Sequence, residues 1–103
     1  LDEASQPIRF WANKYKTKFN EDPGVFSGYG YESMDNFIQG AQRAGAGLST
    51  DSFIKAMDSA LIQPDIFGSD TLKFSATKRL GTERSRLSQI QDGRWKVLTD
   101  YFH

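Results

Sequence analysis

The stretch GYGYESMDNFIQGAQRAGAGLSTD, residues 28–51, decides how this chain is read. Met34, Phe37, Ile38, Ala41 and Ala44 recur at helical spacing and predict a helix over about 31–44. Gly45 follows at the position where left-handed backbone closes a helix end. Leu48-Ser49-Thr50-Asp51 then opens the next helix. Ser49 or Thr50 can accept a free amide of the first turn, and Asp51 sits at the positive end of the helix dipole. Gly40 inside the first of these helices costs roughly 1 kcal/mol against alanine, which predicts a close neighbour on that face. The stretch is therefore a pair of helices joined by a short capped link.

Working outward, Ser5 and Pro7 suit the first turn of a helix over about 5–19. Trp11, Tyr15 and Phe19 recur every four residues and form one apolar stripe. Asn20-Glu21-Asp22-Pro23-Gly24 breaks that helix, and Val25 to Gly28 reads as extended. On the far side, Phe53, Ile54, Met57, Ala60 and Leu61 carry the third helix over about 50–62, and Pro64 stops it. A short strand is expected at about 72–75. The polar stretch from Lys73 to Arg86 reads as a loop. Two β-prone runs, about 86–91 and 94–99, flank Asp92-Gly93, and that pair is a strong hairpin signal because both turn residues need positive φ. The chain itself thus reads as α+β: three helices, a short strand and a hairpin. The strands are too short to cover three helices.

Composition narrows the function. Thirteen basic residues balance thirteen acidic ones. This argues against a nucleic-acid binder, which needs a net basic surface, and against a polybasic membrane anchor. No run approaches the length of a membrane-spanning helix. The absence of cysteine removes disulfides, thiolate nucleophiles and zinc-thiolate sites. The one histidine is His103, so no Ser-His-Asp triad or His-based metal site can be built. No catalytic role and no cofactor are expected. The opening Leu1-Asp2-Glu3 has no starting methionine, and any targeting segment is expected upstream.

Four patches carry a resemblance through their order. They are Phe10-Trp11-Ala12-Asn13-Lys14-Tyr15, Gly28-Tyr29-Gly30-Tyr31-Glu32-Ser33-Met34-Asp35, Gly45-Ala46-Gly47-Leu48-Ser49-Thr50-Asp51 and Gln91-Asp92-Gly93-Arg94-Trp95-Lys96-Val97. The set resembles the C-terminal part of type I periplasmic binding proteins, in particular the leucine/isoleucine/valine-type substrate-binding proteins of ABC transporters. An aromatic Phe-x-x-x-Tyr helix is matched by Trp11 and Tyr15, or by Phe10 and Asn13-Lys14-Tyr15 one step offset. Tyr29-Gly30-Tyr31-Glu32-Ser33 resembles a Tyr-x-Tyr-Asp-Ala signature, with Glu32 for the usual Asp and Ser33 for the usual Ala. Arg43-Ala44-Gly45, Leu48-Ser49-x-Asp51 and Phe67-Gly68 leading to Leu72-Lys73-Phe74-Ser75 also match. Ile90-Gln91-Asp92-Gly93-Arg94-Trp95 is similar to an Ile-x-x-Gly-x-Trp hairpin.

The resemblance spans nearly all of this chain and about the last third of a family member. It implies an α/β protein of two lobes that closes on a small solute by hinge motion and delivers it to an ABC permease. It implies a periplasmic or other extracytoplasmic location. The family's main contacts to a ligand's head group come from earlier segments, so those residues are not carried over.

Three residues are candidates for ligand contact: Tyr29, Tyr31 and Phe67. The tyrosines begin a helix, where ligands of open α/β folds are bound, and a phenol can stack or hydrogen-bond there. The simpler reading is that both rings pack between helices and that Phe67 before Gly68 is a turn anchor. Glu32 and Asp35 share a helix face, which suits acid–base work or a cation, yet a helix start explains two carboxylates without chemistry. Lys78-Arg79 and Arg84 with Arg86 suit an acidic partner or a solvated loop. Trp95 suits a hairpin anchor or an interface. Two functions compete: a piece of a solute receptor, and a free-standing α+β interaction or regulatory domain. A receptor piece separated from its lobe would expose apolar helix faces and pair with a second copy.

Overall fold

The computed structural model describes residues 5–103, and these form an α+β arrangement of three helices followed by two small antiparallel strand pairs. The arrangement is consistent with part of a periplasmic-binding-protein fold. The chain divides into two compact units, one running to Gly30 and resuming at Arg84–His103, the other spanning Tyr31–Glu83.

In the first unit, helix α1 (Gln6–Phe19) starts at Ser5, whose hydroxyl accepts the Ile8 amide at 3.4 Å. It ends at Asn20, a left-handed residue with φ 55° whose amide donates to the Lys16 carbonyl at 2.8 Å. Trp11, Tyr15 and Phe19 do meet in sequence, their rings tilted by 48° and 50° with centroid separations of 5.8 and 4.6 Å. The buried positions of α1 are nevertheless Ile8 and Ala12, one turn apart, while Phe10 and Phe19 are exposed. The aromatic stripe is therefore offset from the covered face.

Helix α2 (Val25–Ala44) begins earlier than 31, and the stretch expected to be extended forms its first turn. Gly24 donates its amide to Ser27 Oγ at 3.1 Å, which is one arm of a capping box. Phe26 and Tyr29, three apart, meet edge to face at 5.6 Å. These local contacts outweigh the weak helix propensity of Gly28 and Gly30. In the same unit, strands β3 (Ser88–Gln91) and β4 (Arg94–Val97) form the expected hairpin. Its turn is Asp92 with φ 53° and Gly93 with φ 77°. The pairing is prolonged past the strands: Leu98 donates to the Leu87 carbonyl, and Ser85 and Phe102 exchange amide bonds of 2.8 and 2.7 Å.

The second unit carries the remainder of α2, which closes at Gly45 with φ 81° and an amide bond to Ala41. Helix α3 (Thr50–Ser59) follows, with Ser49 and Ser52 forming a full capping box. Gly40 is buried as expected: a Cβ there would lie 2.5 Å from Met57 Sδ and 2.8 Å from Phe53 Cε2.

The third helix does not reach 62. Ala60 is extended, and Leu61–Ile62 form strand β1, antiparallel to β2 (Leu72–Lys73). Pro64 disfavours helix in the residue before it, and Ile62, only 1% exposed, gains its burial as a strand residue. The side chain of Gln39 on α2 completes the pairing, as its Oε1 accepts the Gln63 amide at 2.8 Å and its Nε2 donates to the Gln63 carbonyl at 3.2 Å. A side-chain amide thus bonds the end of β1 as a neighbouring strand would.

The segment after β2 is irregular but tied. Ser75 and Lys78 bridge, Lys73 donates to the Gly81 carbonyl at 3.0 Å, and Thr82 donates to the buried carboxylate of Asp70 at 2.6 Å. The core of this unit is Ala56, Ala60 and Ile62. Among the described residues, no helix is long and apolar enough to cross a membrane.

Candidate functional site

Tyr31 and Phe67 are brought together within the second unit. Their rings meet edge to face, centroids 5.6 Å apart and planes at 89°. Phe67 is held there by the turn after Pro64. Asp65 Oδ1 accepts the Phe67 amide at 2.9 Å, its Oδ2 accepts the Ser69 hydroxyl at 3.1 Å, and Gly68 takes the left-handed conformation with φ 71°. The aromatic pair is therefore a contact between a helix and a hydrogen-bonded Asx turn. Tyr29 is not part of it. It belongs to the first unit, two residues earlier on α2, and packs against Phe26 instead.

Glu32, next to Tyr31, has its carboxyl raised above the ordinary value of 4.5, first by burial and then by the charge of Asp65. Two carboxylates thus lie beside the aromatic pair, one locked into its turn and one with an enhanced hold on its proton. Asp35 belongs to a different set of bonds, since its Oδ2 accepts the Gln39 side chain at 2.9 Å. Among the described residues, no grouping of carboxylates or histidine could hold a metal ion.

The basic run separates into distinct contacts. Lys78 pairs with Glu83 at 3.2 Å, and Arg79 pairs with Asp58 on α3. In the first unit, Arg84 and Arg86 lie over the Tyr101 ring, 5.9 and 4.7 Å from its centroid. Trp95 stands opposite Ile90 on the hairpin, and both are more than half exposed.

Sequence reasoning missed two apolar hollows in the second unit. One, about 350 Å³, is lined by Phe37, Leu48 and Phe53 together with Ser49 and Thr50. The other, about 380 Å³, is lined by Phe53, Ile54, Met57, Phe74 and Arg79. Their signal was the breadth of the apolar faces of α2 and α3, which the short strands do not cover.

Residues 2–94 match the family model for periplasmic binding proteins. The chain belongs to the type I periplasmic binding protein family. No curated protein and no solved structure gives a match. Membership establishes a solute-binding role of the general periplasmic kind, in a family that is non-enzymatic in general and extracytoplasmic in general. The free-standing interaction domain gains no support.

Proposed function

We propose that the chain is the C-terminal part of a leucine/isoleucine/valine-type substrate-binding protein. The whole protein captures an amino acid or related small solute and presents it to an ABC permease outside the cytoplasm. Tyr31 and Phe67 touch that solute, and Tyr29 is the third candidate. The observation that favours the pair is the Tyr31–Phe67 edge contact on a turn hydrogen-bonded to Asp65, which offers an aromatic edge close to a carboxylate. Alone, residues 1–103 bind the solute weakly or not at all, because the main head-group contacts come from earlier segments, and they pair with a second copy, because side chains such as Phe37, Leu48 and Ile54 are about half exposed.

The test uses the full-length protein. Amino acids, aromatic acids and small carboxylates are screened by thermal shift, and the stabilising solute is titrated against the Tyr31→Ala and Phe67→Ala variants. Both are expected to weaken binding. A full-length protein that no such solute stabilises overturns the receptor reading. Retained affinity in both variants overturns the assignment of contacts alone. Micromolar binding by the isolated chain, or a compact monomer in light scattering, contradicts the statements about the isolated piece.

A further inference from the structure

The hairpin turn combines features found nowhere else in the sequence. Asp92 is the one aspartate followed by glycine; Asp51 and Asp58 precede serine, Asp65 precedes isoleucine, and Asp70 precedes threonine. Asp92 and Gly93 are both exposed, and both have positive φ. Asp65 and Asp70 are tied by hydrogen bonds, whereas the Asp92 carboxylate has no hydrogen-bond or ion-pair partner among the described residues. The strands on either side are exposed along their whole length. A two-stranded hairpin is marginally stable by itself, so this end of the ladder opens at little cost.

We propose that Asp92-Gly93 is a site of spontaneous covalent modification, where Asp92 isomerises to isoaspartate and unlocks the hairpin. The Gly93 amide nitrogen attacks Cγ of Asp92 in its acid form. An N–C bond forms, and the carboxyl hydroxyl departs with the amide proton as one water, leaving a succinimide. Glycine permits this because no Cβ shields the nitrogen. Water then adds to either ring carbonyl and breaks one C–N bond. Opening at one carbonyl restores aspartate. Opening at the other leaves the chain running through Cγ, with one extra backbone carbon. The sum is isomerisation, with one water lost and one regained. The longer backbone no longer fits a two-residue turn, so the register Gln91↔Arg94 and Ile90↔Trp95 is lost.

The experiment ages the purified protein at neutral pH in water enriched in oxygen-18. Each ring opening leaves one solvent oxygen in the product. After tryptic digestion, the peptide of residues 87–94 is expected to gain label several-fold faster than peptides carrying Asp51 or Asp58. It should also split into aspartyl and isoaspartyl forms, separable by electron-transfer fragmentation. Asp92→Glu, whose longer side chain closes a ring more slowly, should suppress the labelling. Label at Asp92 no faster than at Asp51 and Asp58 overturns the site. An isoaspartyl fraction that keeps the Ile90–Trp95 contact in NMR overturns the unlocking.

Discussion

The two units of this chain hold themselves together differently. In the second unit the ties join elements distant in sequence: Gln39 to Gln63, Arg43 to Ser59, Arg79 to Asp58 and Thr82 to Asp70. They surround a core in which Ile62 is 1% exposed. In the first unit several ties of the helical segments join near neighbours. Lys16 pairs with Asp22, Tyr15 donates to Glu21, and Gly24 donates to Ser27. Its hairpin is exposed on both faces. The second unit is tied by side-chain bonds between separate elements, whereas the first combines the buried Ile8 and Ala12 with capping, turn chemistry and strand pairing. Substitutions of the same kind should therefore have different effects in the two.

The sharpest contrast uses isoleucine twice. Ile62→Ala removes the most buried large side chain and should destabilise the second unit by about 2–5 kcal/mol. Ile90→Ala, at a position 59% exposed and opposite Trp95, should cost less than about 1 kcal/mol. Urea titration followed by amide exchange checks both. Equal costs would erase the distinction between the units.

The next effect is polar. Thr82→Val keeps the shape and removes the hydroxyl that donates to Asp70 at 2.6 Å. Because Asp70 is buried, the loss should cost about 1.5–3 kcal/mol, the range for hydrogen bonds to charged groups. A serine hydroxyl restores the donor, so Thr82→Ser should recover most of the loss. If valine is neutral in urea titration, the carboxylate does not depend on Thr82.

A smaller and more diagnostic pair lies on one helix. Gly40→Ala places a methyl against Met57 and Phe53, an overpacking cost of about 1–3 kcal/mol set against a propensity gain of up to about 1. The net should be destabilising by about 1 kcal/mol. Gly30→Ala meets nothing within 4 Å and should stabilise by up to about 1 kcal/mol. The same substitution thus changes sign along α2. Matching signs in thermal melts would remove the close approach of α3 as the reason for Gly40.

What could be read from sequence follows the same division. The Asp92-Gly93 hairpin and the Ser5 and Ser49 caps were legible because each is settled by a few adjacent residues. Gly40 announced a neighbour through its own cost. The change from α3 to β1 was hidden, because Leu61 and Ile62 continue a helical pattern, and what draws them into a strand is β2 and the side chain of Gln39. The early start of α2 was hidden by its glycines. At the candidate site, Tyr31 and Phe67 were each visible, but their meeting depends on Asp65, whose role is legible only as an Asx turn once Pro64 has ended the strand. The proton affinity of Glu32 was not legible, since it arises from burial and from that same aspartate.

The smallest expected effect tests this last point. Folding raises the carboxyl of Glu32, so the folded second unit favours the protonated acid more than the unfolded chain does. Its contribution to stability is fully present below the ordinary value of 4.5 and is lost as pH rises through the raised folded value. The window opens near 4.5 and extends upward, opposite to the loss on acidification shown by salt-bridged carboxylates. Glu32→Gln keeps the size and cannot ionise, so its denaturation midpoint should fall less than that of the parent between acid and neutral pH. Asp65→Asn removes only the smaller cause, since burial comes first, and part of the dependence should remain. If Glu32→Gln leaves the pH dependence unchanged, Glu32 does not feel the turn that positions Phe67. The second unit would then lack the electrostatic contact that separates its aromatic pair from the Phe26–Tyr29 pair of the first.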